Sequence, residues 1–157
     1  MILYHGSNSV IEKPDVFHSR ERVDFGKGFY VTPMEQQARK WSERFSKTGG
    51  RAVVSKYFFD ESRLEGLSVI EFDSYSESWL DFILACRSGT MAESTADIIS
   101  GGVANDKVFN TVELYFDGLI DKTEAIKRLK YEKPNKQLCF RTMRACELLV
   151  FEGSIDL

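Results

Sequence analysis

Short apolar runs of strand length alternate irregularly with amphipathic helical stretches along this chain, and no βαβ rhythm organises them. That pattern argues against a doubly wound parallel sheet and predicts a mixed α+β fold. Strand-like runs fall at residues 1–4, 28–31, 51–59, 67–72, 97–100, 137–140 and 148–151. The four residues Thr32-Pro33-Met34-Glu35 read as a helix start, with Thr32 as cap, Pro33 at the first helical position and Glu35 closing a capping box. Ala38, Trp41 and Phe45 then share a face, and the helix should end near Lys47. Further helical spacing runs through 76–87 (Trp79, Phe82, Ile83, Cys86) and 106–116 (Val108, Val112, Tyr115, Phe116). Asp121-Lys122-Thr123-Glu124 opens another helix, and Thr142 caps a short last one.

A length of 157 residues predicts one domain, 1–157, with no repeat and no linker. A net charge of −3 supplies no field toward nucleic acid or anionic lipid and disfavours a plain nucleic-acid binder. Cys86, Cys139 and Cys146 are odd in number and lack CxxC spacing, and there are only two histidines. Buried reduced thiols are therefore expected, with no metal site. The chain opens directly into a strand-like run, and no apolar stretch of membrane-spanning length occurs, so a cytoplasmic protein without membrane partners is expected.

Two segments carry the candidate chemistry. Leu3-Tyr4-His5-Gly6-Ser7 reads as a strand ending in a turn, where an imidazole and exposed backbone can meet a ligand together. Neutral His5 can donate to a ribose hydroxyl, and the Gly6 backbone can pair with a carboxamide. Phe25-Gly26-Lys27-Gly28-Phe29-Tyr30-Val31-Thr32 puts a phenol ring where close-approaching backbone can seat a flat group such as nicotinamide. The Gly-Lys-Gly stretch matches neither a phosphate-binding Walker loop nor a GxGxxG dinucleotide fingerprint. A histidine tied to a nearby turn and a tyrosine packed in a strand are the plain alternatives. Arg20, Arg22 and Lys27 can meet a pyrophosphate or form a solvated loop, while Ser7 and Thr32 can bond ribose or nicotinamide.

His5-Gly6-Ser7, then Gly26-Lys27-Gly28-Phe29-Tyr30-Val31-Thr32, then a polar Gln137 opening a late strand, resembles the ADP-ribosyltransferase superfamily. The similarity is to the His-Tyr-Glu branch that includes poly-ADP-ribose polymerases and diphtheria-type toxins. Within it, the chain looks closest to a small, poorly characterised bacterial group, through Asp24-Phe25-Gly26-Lys27-Gly28-Phe29-Tyr30, Gly102-Val103-Ala104-Asn105-Asp106, Gln137, Thr142 and Ala145. The resemblance implies two small antiparallel sheets around an NAD cleft with helices packed outside. It implies that His5 holds the adenosine-side ribose, that Tyr30 stacks on nicotinamide and that Gly6 clamps the carboxamide. It also puts Gln137 where the family has a glutamate that stabilises the cationic ribose. The implied activity is NAD-dependent mono-ADP-ribosylation of a macromolecular acceptor, protein or nucleic acid. The implied setting is a toxin–antitoxin or phage-defence locus with an antitoxin or immunity partner.

Gln137 departs from that pattern, since an amide bonds a hydroxyl but brings no negative charge. A lost carboxylate at such a position typically costs on the order of 10²–10³ in rate. Three expectations follow: single transfer with the acceptor supplying its own base, a substitute carboxylate, or NAD binding without turnover. NAD hydrolysis, with water as acceptor, is the rival reaction in the same cleft. Asp106 is the preferred substitute carboxylate, with helix capping by Asn105 or Asp106 as the plain alternative. Glu147 is a second candidate, and Arg87 reads as a cation at a helix C-terminus. The segments 8–22 and 88–96 are the expected acceptor-facing loops.

Overall fold

The computed structural model describes residues 1–90 and 96–157; the Asp106 side chain is outside the described set. In chain order the elements are β1 (Ile2–Ser7), β2 (Phe29–Val31), α1 (Glu35–Ser46), β3 (Val53–Phe59), a 3-10 turn (Glu61–Arg63), β4 (Val69–Glu71) and α2 (Glu77–Ser88). They continue with β5 (Ile98–Gly102), α3 (Asp106–Phe116), α4 (Lys122–Leu129), β6 (Lys136–Phe140), α5 (Met143–Cys146) and β7 (Leu149–Asp156). The class is α+β, with two small sheets in the orders β1-β3-β7 and β2-β6-β5-β4. The first sheet is antiparallel throughout. The second is mixed, which corrects the expectation of two antiparallel sheets: β4 and β5 run parallel, because the chain between them crosses over through α2.

Period-two alternation in the four-stranded sheet creates two cores. Phe29, Val31, Ile98, Leu138 and Phe140 face the three-stranded sheet and pack with Leu3, Tyr57 and Phe59. Ile99 and Cys139 face the opposite way and pack with Trp79, Leu80 and Ile83 of α2, Val108 and Val112 of α3, and Ala125 and Leu129 of α4. The three cysteines are free and buried, and burial pushes Cys86 and Cys146 up to about 11 and Cys139 up to about 12. Thiols held neutral in this way are not nucleophiles.

Four local expectations need correction. β1 continues through Ser7, so His5 and Gly6 lie inside the strand rather than past its end. β5 likewise includes Gly101 and Gly102. Thr32 does not cap α1, which begins at Glu35 with Met34 at the cap and no side-chain bond. The Thr32 backbone is paired with Tyr4, and its hydroxyl donates to the Lys136 carbonyl at 2.9 Å and accepts from Met34 N at 3.1 Å. Trp41 is also not on the buried face: it is 42% exposed beneath the Arg44 guanidinium, and Ala38 and Ser42 are buried instead. Elsewhere local capping holds, with Asp121 accepting from Glu124 N and Thr142 from Ala145 N.

Asp97, just before β5, is a wholly buried carboxylate. It accepts from Arg144 Nε at 2.7 Å and Nη2 at 2.6 Å, from Thr142 Oγ1 at 2.6 Å and from Ser68 N at 2.9 Å. The Arg144 bonds outweigh burial and pull Asp97 down to about 2 from the ordinary 3.8. A folded value below the unfolded one gives stability that is complete above the unfolded value and is lost as pH falls through the folded one. Asp97→Asn should therefore flatten stability between pH 3.8 and about 2, measured as the urea midpoint across the acid range. An unchanged acid limb would remove Asp97 from that role.

No helix among the described residues is long and apolar enough to cross a membrane.

Candidate active site

β1 and β2 are edge strands of different sheets, and they meet at one bridge, Tyr4↔Thr32. Tyr4 N donates to Thr32 O at 2.8 Å, and Thr32 N to Tyr4 O at 2.9 Å. Antiparallel alternation then turns the Gly6 and Tyr30 backbone groups toward the same gap. They do not pair there, because the His5 ring takes the Tyr30 carbonyl, with Nδ1 2.6 Å away. Past the Tyr4–Thr32 bridge no backbone bond joins Gly6 to β2, and Gly6 itself is buried under α1.

A carbonyl only accepts, so His5 carries its proton on Nδ1 and presents Nε2 as an acceptor. In this tautomer the ring's one N–H is spent on Tyr30 O, and Nε2 can accept but not donate. The ring stacks on Phe29 with centroids 4.4 Å apart. Burial lowers its pKa and outweighs the Tyr30 bond, so the imidazole stays neutral near pH 7. Gly6 is a glycine for a packing reason, since a Cβ there would overlap the Ala38 carbonyl of α1 and lie 3.1 Å from Ser42 N. Gly28 is similar, because its Cβ would overlap the Cys139 sulfur and lie 2.8 Å from Phe140 O.

The Tyr30 side chain projects to the helix side of the sheet, away from the His5 ring. Its hydroxyl donates to Gly26 O at 2.5 Å and accepts from Phe25 N at 3.0 Å, and burial pushes the phenol far above its usual range. Tyr30 thus pins the loop just before β2 onto the sheet, with the Phe25 ring near-parallel at 6.5 Å. Cys139 and Gln137 share that face of β6, and Gln137 opposes Gly101. One residue beyond the last registered pair of β2 and β6, Thr32 lies beside Gln137, so Tyr4, Thr32 and Gln137 sit side by side on three neighbouring strands.

The pinned loop delivers Asp24, a carboxylate the sequence reading did not weigh. Asp24 Oδ2 accepts from Gln137 Nε2 at 3.3 Å and lies 3.5 Å from Ala104 N. Its Oδ1 accepts from Arg87 Nη2 at 2.8 Å and Nε at 3.3 Å. Arg87 Nη1 also donates to Glu113 Oε1 at 2.7 Å, and its guanidinium stands over Phe109. Asp24 and Arg87 are largely buried, at 17% and 14% side-chain exposure. The signal was an aspartate directly before Phe-Gly-Lys-Gly-Phe-Tyr, a loop closed by its own tyrosine.

The remaining candidates are scattered. Ser7 uses its hydroxyl on Ser9 O at 2.6 Å. Arg22, Gly26 and Lys27 line a cavity of about 370 Å³ with Glu21, Cys86, Gly89 and Arg141. That cavity lies at the Arg141 end of β6, opposite the Gln137 end, and Arg20 does not line it. The Asn105 side chain caps α3 by accepting from Val108 N at 3.1 Å. Asp106 opens that helix, and its side chain is outside the described residues, as are positions 91–95 of the expected acceptor loop. Glu147 follows α5, remote in sequence and contacts from this cluster. Among the described residues no group of three or more His, Cys, Asp and Glu side chains is set to hold a metal ion.

Residues 1–151 match a family model described as a protein of unknown function, DUF3990. No curated protein and no solved structure matches the chain significantly.

Proposed function

The chain belongs to the DUF3990 family, and we propose that it is an NAD-dependent mono-ADP-ribosyltransferase with a macromolecular acceptor, built on an ADP-ribosyltransferase-like fold. The observation that carries this reading is the unpaired gap between β1 and β2. There the neutral His5 ring holds Tyr30 O at 2.6 Å, the Gly6 backbone makes no bond to β2, and Thr32 and Gln137 lie on the neighbouring strands. A carboxamide needs one donor and one acceptor in line, which the Gly6 N–H and C=O, unpaired with β2, would offer it. Ribose hydroxyls need acceptors: His5 Nε2 offers one on the Phe29 side of the sheet and Gln137 Oε1 another on the Tyr30 side.

The reaction is dissociative. The glycosidic bond from ribose C1′ to the nicotinamide nitrogen breaks, and its electron pair leaves with nicotinamide. C1′ becomes cationic and bonds to an acceptor nucleophile, whose proton passes to solvent or to a base on the acceptor. The chain's residues orient the two ends of NAD and support the charge at C1′; none of them forms a covalent bond.

Incubating the purified protein with NAD and a cell extract, with mass spectrometry of all products, tests this. Transfer gives nicotinamide together with an ADP-ribose increment on protein or nucleic acid. Nicotinamide with an equal amount of free ADP-ribose means hydrolysis, and saturable NAD binding without nicotinamide release means a silent binding module; either overturns transfer. His5→Ala should weaken NAD binding by about tenfold, the effect of about 1.4 kcal/mol for one lost hydrogen bond. Unchanged affinity would remove the cleft assignment altogether.

A further inference from the structure

We propose that Asp24, acting through Gln137, supplies the negative charge that the late-strand amide lacks. The inference rests on the transferase reading above and names a positioning residue for it. Gln137 has two ends. Its Nε2 is committed to Asp24 Oδ2 at 3.3 Å, which fixes the amide's orientation and leaves Oε1 to accept from a ribose hydroxyl. An amide whose N–H donates to a carboxylate is polarised toward its oxygen, so the pair offers a stronger acceptor than glutamine alone.

Charge also acts directly. Arg87 does not cancel Asp24, because the same guanidinium is shared with Glu113, at 2.8 Å and 2.7 Å. One cation between two anions leaves the trio net negative. Glu113 is 42% exposed and screened by water, whereas Asp24 is 17% exposed, on the Gln137 side. The less screened carboxylate is therefore the one nearest the strand position at which a cationic C1′ would need support. No bond forms to Asp24 or Gln137 and no proton moves to either; the charge is fixed in advance of the reaction, which is what makes such groups effective.

The placement has a specific cause in the fold. Asp24 lies in an irregular loop, and three separate elements hold it. The Tyr30 hydroxyl fixes the flanking Phe25 N and Gly26 O from β2, Arg87 reaches it from α2, and Gln137 from β6. A loop carboxylate needed only for solubility would not be tied from three elements.

The test exchanges the two functional groups. Asp24→Asn should lower the rate of nicotinamide release by about 10- to 100-fold while KM for NAD stays within about threefold. Adding Gln137→Glu to Asp24→Asn returns a carboxylate to the strand with an amide behind it, and the rate should recover to within about threefold of the parent. The double variant keeps the loss of the Asp24–Arg87 pair, so recovery separates the charge from any folding defect. A readout free of turnover accompanies it. By carbon NMR, the carboxyl introduced by Gln137→Glu alone should titrate at least about one unit above the usual ~4.3, and the shift should vanish when Asp24→Asn is added. An Asp24→Asn rate equal to the parent, a double variant no faster than Asp24→Asn, or an ordinary titration beside intact Asp24 overturns the proposal. A parent protein that releases no nicotinamide, with the NMR shift present, overturns the transferase reading instead, and the electrostatic coupling stands.

Discussion

Gly6→Ala should cost about 3 kcal/mol, at the upper end for overpacking, and Gly6→Val should leave little folded protein at room temperature. The Cβ would overlap the Ala38 carbonyl oxygen and lie 3.1 Å from both Ala38 C and Ser42 N. These are backbone atoms of α1, so no rotamer change or trimmed neighbour relieves the clash; the whole helix must lift off β1. Lifting it uncovers the buried Ala38 and Ser42. It also moves the strand edge from which His5 reaches Tyr30, so residual folded protein should bind NAD more weakly than the parent. Urea denaturation followed by circular dichroism measures the first effect and calorimetric titration with NAD the second. A Gly6→Ala variant of parental stability would mean that α1 does not sit on β1 as described.

The elements were legible where the signal was local. Asp121 and Thr142 cap because the N–H groups they accept from lie three residues on, and Thr142 does so while its hydroxyl also donates to Asp97; the apolar spacing of Trp79, Ile83 and Cys86 survives because one helix face packs on one sheet. Thr32 misled because its sequence neighbours describe a capping box, whereas its backbone is taken by Tyr4 and its hydroxyl by Lys136, both remote in sequence. Trp41 misled because spacing reveals an apolar face but not the width of the slot beneath it. The slot over Gly6 admits only small residues, so Ala38 and Ser42 occupy it and the indole turns outward. The parallel pairing of β4 with β5 is non-local and leaves no mark in either strand.

The site was legible in part for the same reason. His5, Gly6 and Tyr30 lie on two short strands, and their proximity follows from which strand edges meet. What chemistry each group offers did not follow. The proton sits on His5 Nδ1 because of a carbonyl, and the Tyr30 hydroxyl is spent on loop backbone; both are contacts between separate segments. Asp24 could not be weighed at all by period or cap, since irregular loops have neither. Its meaning comes from Gln137, Arg87 and Tyr30 converging on it.

Arg87→Ala is expected to destabilise the fold by about 3 kcal/mol. Removing one partner of a buried ion pair leaves the other charge without compensation, and here one guanidinium serves two carboxylates and covers Phe109. The cost should fall at the lower end of the range for such losses, because Glu113 keeps 42% of its exposure and can rehydrate. Asp24 cannot rehydrate as freely, so most of the penalty belongs to it. Adding Asp24→Asn to Arg87→Ala should therefore return more than about 1 kcal/mol, whereas adding Glu113→Gln should return almost nothing. Urea unfolding of the four variants reads both differences, and equal recovery from the two carboxylates would refute the asymmetry. The asymmetry matters for the site because a carboxylate that depends on one guanidinium for its burial stays where that guanidinium holds it. Arg87 thereby sets both the stability of the Asp24 loop and the distance at which Asp24 meets Gln137.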